Sequence, residues 1–338
     1  MKGILRISKG NKKIVQNKGD KKMKLSLVVP CYNEEGNVRL FTEQAREILK
    51  GIEYELVFIN DGSKDGTMRE LKALYKEKKE NMTIINFSRN FGKESGLYAG
   101  LCNAKGEYVV IIDADLQQPI SVAREMYEFL EEHPEYDEVA AYQEERKEGK
   151  LLSLFKSAFY EMINKLCDIE LYKNASDFRC LRRNVVDAIL SMSEYHRFSK
   201  GIFAWVGFDT YYRPYEVQER NAGTTSWSFW SLLGYAIEGV VSFSTKPLKM
   251  VISLGITTSL LSILYMIIVI FQKLIWGIAV PGYPTIIVLI LLIGGIQLTV
   301  MGIIGGYLAK VHIEVKNRPI YIAKEVLHGE KEETYMDR

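Results

Sequence analysis

Two carboxylates one residue apart, Asp113 and Asp115, close the short apolar run Tyr108–Ile112 and are followed by Leu116 and Gln117. Side chains of an extended segment alternate, so both acids point the same way. Hard oxygen donors of this kind suit Mg²⁺ or Mn²⁺ bridging a diphosphate. A buried strand that stops at such a pair delivers charge to the C-terminal rim of a sheet, where ligands of open α/β sheets bind. A strand-end turn explains the same residues without any ligand, because Asp favours turns. Asn60-Asp61-Gly62-Ser63 is open in the same way, as a functional loop or a tight turn.

Positioning these residues requires strands that end at them. Leu25–Val29, Tyr54–Ile59, Met82–Phe87, Tyr108–Ile112 and, more weakly, Glu138–Ala141 read as strands, with Val38–Lys50, Thr67–Lys79, Lys93–Ala104 and Ser121–Glu132 as helices between them. That alternation predicts a largely parallel sheet covered on both faces. Right-handed crossovers place every strand's C-terminal end on one rim. Tyr32-Asn33-Glu34, Asp61-Gly62-Ser63, Arg89-Asn90 and the Asp113/Asp115 pair then collect there. Leu151–Cys167 and Trp227–Phe243 read as amphipathic helices. The first is open between sheet packing and a membrane interface, and the second favours the interface.

The 338 residues carry a formal net charge of +2, so no global charge argument supports nucleic-acid binding. Four cysteines and four histidines form no metal-spaced set, which fits a reduced setting for the soluble part. Met250–Phe271 and Thr285–Ala309 contain no charged residue, and each exceeds the about 20 residues that cross a bilayer. Lys246 and Lys249 precede the first, and Lys310, Lys316 and Arg318 follow the second. The positive-inside rule puts both flanks, and with them the large N-terminal domain, in the cytoplasm. Residues 1–24 hold nine Lys/Arg and one Asp and predict a basic disordered arm. The expected organisation is this arm, a catalytic domain over 25–225, a juxtamembrane helix over 226–249, a transmembrane hairpin over 250–309 and a cytoplasmic tail over 310–338.

Pro30-x-Tyr32-Asn33-Glu34, Asn60-Asp61-Gly62-Ser63 and Asp113-x-Asp115-x-Gln117, in that order, resemble family 2 glycosyltransferases of the GT-A fold. Phe87-Ser88-Arg89-Asn90-Phe91-Gly92-Lys93, Asp177-Phe178-Arg179, Arg197-Phe198-x-x-Gly201, Arg220-Asn221-Ala222-Gly223-Thr224 and Phe243-Ser244-Thr245-Lys246-Pro247-Leu248 are similar to the polyprenyl-phosphate branch of that family. That branch includes bactoprenol glucosyltransferases and dolichol-phosphate mannose synthases. The resemblance runs from about Leu25 to the end of the chain. It implies a mostly parallel, Rossmann-like GT-A domain with two C-terminal transmembrane helices at the plasma membrane. It also implies a reaction, in which a nucleotide sugar (UDP-glucose or UDP-GlcNAc) and undecaprenyl phosphate give a sugar-phosphate-lipid with inversion.

Residue by residue, the resemblance puts Pro30, Tyr32 and Glu34 against the donor's base and ribose, with Asp61 on the uracil or ribose. It puts Asp113 and Ala114 near the nucleotide, Asp115 and Gln117 on Mg²⁺ or Mn²⁺, and Arg220 on the diphosphate. Asp177 falls beside the acceptor as base or orienter, and an ion pair with Arg179 or Arg182 is the plainer explanation for it. Arg179 would hold the acceptor phosphate. Many relatives carry an Arg near Gln143, a duty that passes to Arg146, and Gln118-Pro119-Ile120 departs from the usual residues after Gln117. A flippase partner follows at family level, and a homo-oligomer is suggested by the Gly302/Gly306 spacing. The rivals are a processive polysaccharide synthase and a non-catalytic membrane-anchored sugar-nucleotide binder.

Overall fold

Apolar runs buried on both faces become the centre of a nine-stranded sheet in a computed structural model. It describes residues 23–77, 81–143, 172, 175–192, 194–216, 244–276, 282–328 and 331–333. The strands are β1 (Leu25–Cys31), β2 (Tyr54–Asn60), β3 (Met82–Phe87), β4 (Tyr108–Ile111), β5 (Glu138–Gln143), β6 (Ala175–Arg182), β7 (Thr210–Tyr215), β8 (Ala323–His328) and β9 (Lys331–Glu333). Their spatial order is β7-β5-β6-β4-β1-β2-β3-β8-β9. The expected parallel block is there, with β4, β1, β2 and β3 side by side. The sheet is more mixed than its first half suggests. β6 runs antiparallel between β4 and β5, and β8 runs antiparallel beside β3.

Helices cover both faces. α1 (Val38–Ile48), α2 (Thr67–Glu77) and α4 (Ile120–Glu132) lie on one side, where Phe41, Leu71 and Met126 join Leu27 and Phe58 in one core. α3 (Lys93–Asn103), α5 (Arg183–Ser191) and α6 (Ser199–Val206) lie on the other, where Leu97, Val185 and Phe203 meet Val28, Ile59 and Ile111. In α1 the buried Val38, Phe41, Thr42 and Ala45 follow helical spacing, leaving charge outward. α3 sits very close to the sheet. A Cβ on Gly100 would overlap Val28 and come within 2.9 Å of Ile59 Cδ1. That close approach carries Lys93, the first residue of α3, over the rim.

Two long helices follow, α7 (Lys246–Trp276) and α8 (Tyr283–Val315). With 31 and 33 residues at about 1.5 Å each, both exceed the ~30 Å hydrocarbon thickness of a bilayer. Their apolar side chains face outward, Leu260 at 63% and Leu308 at 65% exposure. Among the described residues, a Cβ on Gly302 or Gly306 would meet nothing within 4 Å beyond the backbone of its own helix. The Tyr307 hydroxyl donates to the Ser244 carbonyl (2.7 Å), and Glu314 accepts the Tyr195 N–H (3.0 Å), tying α8 to the loop before α6.

The segment expected as a tail returns to the sheet. β8 pairs with β3 through Ile84↔Leu327 and Ile85↔Val326, Lys72 bridges Glu325 (2.7 Å), and Tyr321 stacks on Phe87 (4.9 Å). The Leu151–Cys167 and Trp227–Phe243 helices and most of the basic arm lie outside the described residues.

Candidate active site

The rim is built first from backbone. After β1 the chain turns through Asn33, at φ 58°, a left-handed conformation that Asn tolerates better than most residues. The Asn33 N–H donates to Ser63 Oγ (3.0 Å) and its Oδ1 accepts the Lys64 N–H (2.9 Å). The Glu34 N–H donates to Thr67 Oγ1 (2.8 Å), and its carboxylate accepts from Asn37 (2.6 Å). The loops after β1 and β2 are therefore one unit. Tyr32 stands on it 44% exposed.

Asp61 is held on backbone amides. Its two carboxylate oxygens accept the backbone N–H groups of Phe91 (2.6 Å) and Gly92 (2.9 Å), and it is 5% exposed. Burial pushes its pKa up, and those amides hold it partly back. Asp61 organises the loop that launches α3, because buried N–H groups need acceptors. Gly62 completes the lock at φ 64°, where a Cβ would stand 2.6 Å from Asn90 N.

At the end of β4, Asp113 is gripped from two sides. The side chain of Gln118, itself buried, accepts the Asp113 N–H (2.9 Å) and donates to its carboxylate (3.1 Å). Lys93 approaches the other side, 2.8 Å from Oδ1. Ala114 is buried. Asp115 accepts the Gln117 N–H (3.1 Å) across Leu116, whose φ of 62° is unusual for a non-glycine residue. Strain of this kind, ~1–3 kcal/mol, persists where surrounding structure enforces it, and such residues cluster at functional sites.

Across the rim, on β6, stands Asp177. Its carboxylate lies 3.4 Å from Lys93 Nζ, so one ammonium serves acids from two strands. Burial is the largest influence on Asp177 and raises its pKa. The positive fields of Lys93, Lys200 and Arg179 outweigh it and hold the group below the ordinary range. Lys93 is the mirror case. Burial opposes its charge, the two carboxylates overcome that, and its pKa ends above the usual lysine range. Glu94, next in α3, accepts the Ser199 N–H (3.0 Å) and its hydroxyl at the start of α6. Burial, and then Asp177, push Glu94 up to about 7.

Neither plain partner offered for Asp177 is used. Arg182 donates to the Leu130 (2.6 Å) and Tyr136 (2.8 Å) carbonyls. Arg179 is 5% exposed and pairs with the buried Glu138 at 2.8 Å, its guanidinium 4.4 Å from the Phe203 ring centroid. Arg179, expected on the acceptor phosphate, is placed here between strands and α6 with Glu138 as its partner. Gln143, where relatives carry Arg, donates to the Tyr215 hydroxyl (3.3 Å). Arg146 and Arg220 lie outside the described residues.

The donors near Asp115 are carboxylate and carboxamide oxygens from one turn. No group of three or more His, Cys, Asp or Glu stands together among the described residues. That set does not fit a zinc ion closed in by protein ligands. It fits Mg²⁺ or Mn²⁺ held by one or two protein oxygens and by substrate phosphates. Lys93, Gln118 and Glu94 were not singled out from sequence. Lys93 closes the run Phe87–Lys93, but nothing local marks its partners 20 and 84 positions away.

A model of the family described as "Glycosyl transferase family 2" matches residues 26–190. The "Putative glycosyltransferase CsbB" of Bacillus subtilis (strain 168) is 44% identical over 303 residues, covering 89% of this chain and 91% of the relative. The "SfII prophage-derived bactoprenol glucosyl transferase" of Shigella flexneri is 41% identical over 311 residues, 91% of this chain and 99% of the relative. The "Prophage bactoprenol glucosyl transferase homolog" of Escherichia coli (strain K12) is 41% identical over 308 residues, 90% and 99% of the two.

Proposed function

This chain belongs to glycosyl transferase family 2, and on that premise we propose that it moves one glucose or N-acetylglucosamine from a UDP-linked donor to undecaprenyl or another polyprenyl phosphate. The transfer takes place at the cytoplasmic face of the plasma membrane. The observation that carries this reading is the sharing of Lys93 by Asp113 and Asp177, on the rim that also bears the Tyr32–Glu34 loop, in a chain with two bilayer-length helices. Two relatives named for bactoprenol glucosyl transfer favour the lipid acceptor and glucose.

Pro30, Tyr32 and Glu34 take the donor's base and ribose. Asp115 and Gln117 hold Mg²⁺ or Mn²⁺, with Asp113 and Ala114 beside the nucleotide and Arg220 on the diphosphate. The metal ion supplies Lewis-acid stabilisation of the departing diphosphate. An acceptor phosphate oxygen forms the bond to the anomeric carbon as the bond to UDP breaks on the opposite side, giving inversion. The acceptor needs no base, since a phosphate monoester is already largely ionised near neutrality. Asp177, with its pKa below the ordinary carboxylate range, is suited to orienting neighbours and not to taking a proton. Catalysis is then chiefly positioning.

The membrane helices bring this rim to the headgroup plane. Lys246, Lys249, Lys310, Lys316 and Arg318 mark the cytoplasmic side, and Glu314 ties α8 to the loop feeding α6. The test is incubation of the full chain in membranes with undecaprenyl phosphate and a panel of nucleotide sugars, followed by mass analysis. A lipid phosphate carrying one hexose or one N-acetylhexosamine is expected. Polymer would point to a processive synthase, and no product from any donor would point to a binder.

A further inference from the structure

We propose that Lys93 is the cation that receives the acceptor's phosphate, and that it is held in reserve on Asp113 until the donor arrives. Donor binding then precedes acceptor binding. The inference rests on the transfer reaction above.

Asp113 is the fixed partner and Lys93 the movable one. Gln118, 7% exposed, holds both the backbone and the carboxylate of Asp113. Lys93 reaches Asp113 at 2.8 Å and Asp177 at 3.4 Å on a flexible four-carbon stem, with 44% of its side chain open to water. Asp113 follows the end of β4 and Asp177 lies on the neighbouring β6, and two like charges that share one ammonium repel unless that cation lies between them. Lys93 is that cation while the site holds no donor.

A donor diphosphate brings its own divalent cation to the Asp113–Gln117 turn. Held at Asp115 and Gln117, that cation would act on the nearby Asp113 through its field, and the singly charged ammonium would be the weaker competitor for the carboxylate. It keeps Asp177 and gains an open side for another anion. A phosphate monoester bearing nearly two negative charges is the anion that this leaves room for. Arg179 cannot serve, being closed in with Glu138. Lys200, on α6, adds to the positive field at Asp177 and so favours the same anion. The inference assigns Asp177 a positioning role, keeping Lys93 in place after Asp113 has let it go.

The test measures binding of farnesyl phosphate, a short polyprenyl phosphate, to the full chain in nanodiscs by calorimetry, with and without UDP and Mg²⁺. In the unaltered protein, UDP and Mg²⁺ should tighten farnesyl phosphate about tenfold or more. Lys93→Met should bind it at least about tenfold more weakly and lose the response to UDP, while UDP–Mg²⁺ still binds. Lys93→Arg should recover part of the affinity. Asp113→Asn, which frees the ammonium, should bind farnesyl phosphate tightly with no UDP present. Unchanged affinity in folded Lys93→Met, or weak binding by Asp113→Asn, overturns the inference. If Lys93→Met does not fold, the Asp113→Asn result decides alone. If the unaltered protein glycosylates polyprenyl phosphate while Lys93→Met keeps full acceptor affinity, this inference falls and the reaction stands. If the unaltered protein glycosylates no polyprenyl phosphate, the reaction and the inference fall together.

Discussion

On the β1–β2 side of the rim, loops are held by amides and hydroxyls. Asn33 is tied to Ser63 and Lys64, Glu34 to Thr67, and Asp61 to Phe91 and Gly92. On the β4–β6 side, Asp113, Asp177 and Glu94 gather around Lys93, with Lys200 and Arg197 adding positive field. The first side is held by hydrogen bonds that join neighbouring loops at fixed spacing. The second is rigid only while its charges balance. A rigid cradle suits a donor of constant shape. A balanced cluster suits an acceptor that arrives as an anion from another phase and must shift a cation to be held.

The sharpest way to break that contrast is at the turn where the two sides meet. Asp115→Ala should lower transfer by at least about a thousandfold, because charge developing on the leaving diphosphate loses its preorganised partner. The variant should remain membrane-bound with an unchanged unfolding midpoint, read by labelled-donor turnover beside a thermal melt. Persistent transfer would remove the metal site from the argument. The next largest effect is expected behind the acceptor side. Arg179→Met leaves Glu138 buried and unpaired and should cost ~3–5 kcal/mol of stability in denaturant unfolding. The acceptor KM of the protein that remains folded should stay near the unaltered value. A selective rise in that KM would return Arg179 to the phosphate.

Asp61→Asn tests the donor side. The amide keeps the shape but offers one acceptor where two N–H groups donate, so one buried N–H loses its partner at ~1–3 kcal/mol. Because Asp61 holds the Phe91–Gly92 loop and its neighbours Gly62 and Ser63 join it to the Tyr32–Glu34 loop, the donor KM should rise severalfold while the acceptor KM holds. Equal changes in both would mean that the two sides are not independently built.

The parallel block was legible because its signals are local. Each apolar run is bounded by turn residues, and each helix shows its buried face within two turns, as with Val38, Phe41 and Ala45. β6 and β8 were not legible. Asp177-Phe178-Arg179 resembles a polar site loop until the buried carboxylate of Glu138, on the neighbouring strand, is seen paired with Arg179. Ala323–His328 follows a long helix and carries Lys324 and Glu325, so it lacks the unbroken apolar run that marks the central strands. Asp113 and Asp115 could be found from sequence because they close an apolar run, although β4 ends at Ile111 and both acids stand in the turn beyond it, where the period of two no longer sets their direction. Lys93 could not, because its meaning lies in two acids brought to it by other strands. The hold of Asp61 on Phe91 and Gly92 was hidden for the same reason, since a turn residue does not announce which loop its carboxylate will hold.

The smallest expected effect separates charge balance from mere crowding on the acceptor side. Glu94 titrates near 7 because burial and Asp177 disfavour its charge, while Ser199, Lys93 and, across the same space, Arg197 favour it. An unfolded Glu titrates at about 4.3. The folded chain therefore binds the Glu94 proton more tightly than the unfolded chain. The sign follows from linkage, since stability falls with rising pH where the native state holds more protons. The contribution from Glu94 is complete below about 4.3 and is lost as pH rises through about 7. After allowance for screening, the loss should amount to ~1–2 kcal/mol over that window. Glu94→Gln keeps an oxygen for the Ser199 N–H and cannot ionise, so its unfolding free energy should fall less between pH 4.5 and 7.5 than that of the unaltered chain. Identical pH profiles would mean that Asp177 and Glu94 do not feel each other. The acceptor side would then be a set of separate contacts and not a balanced cluster.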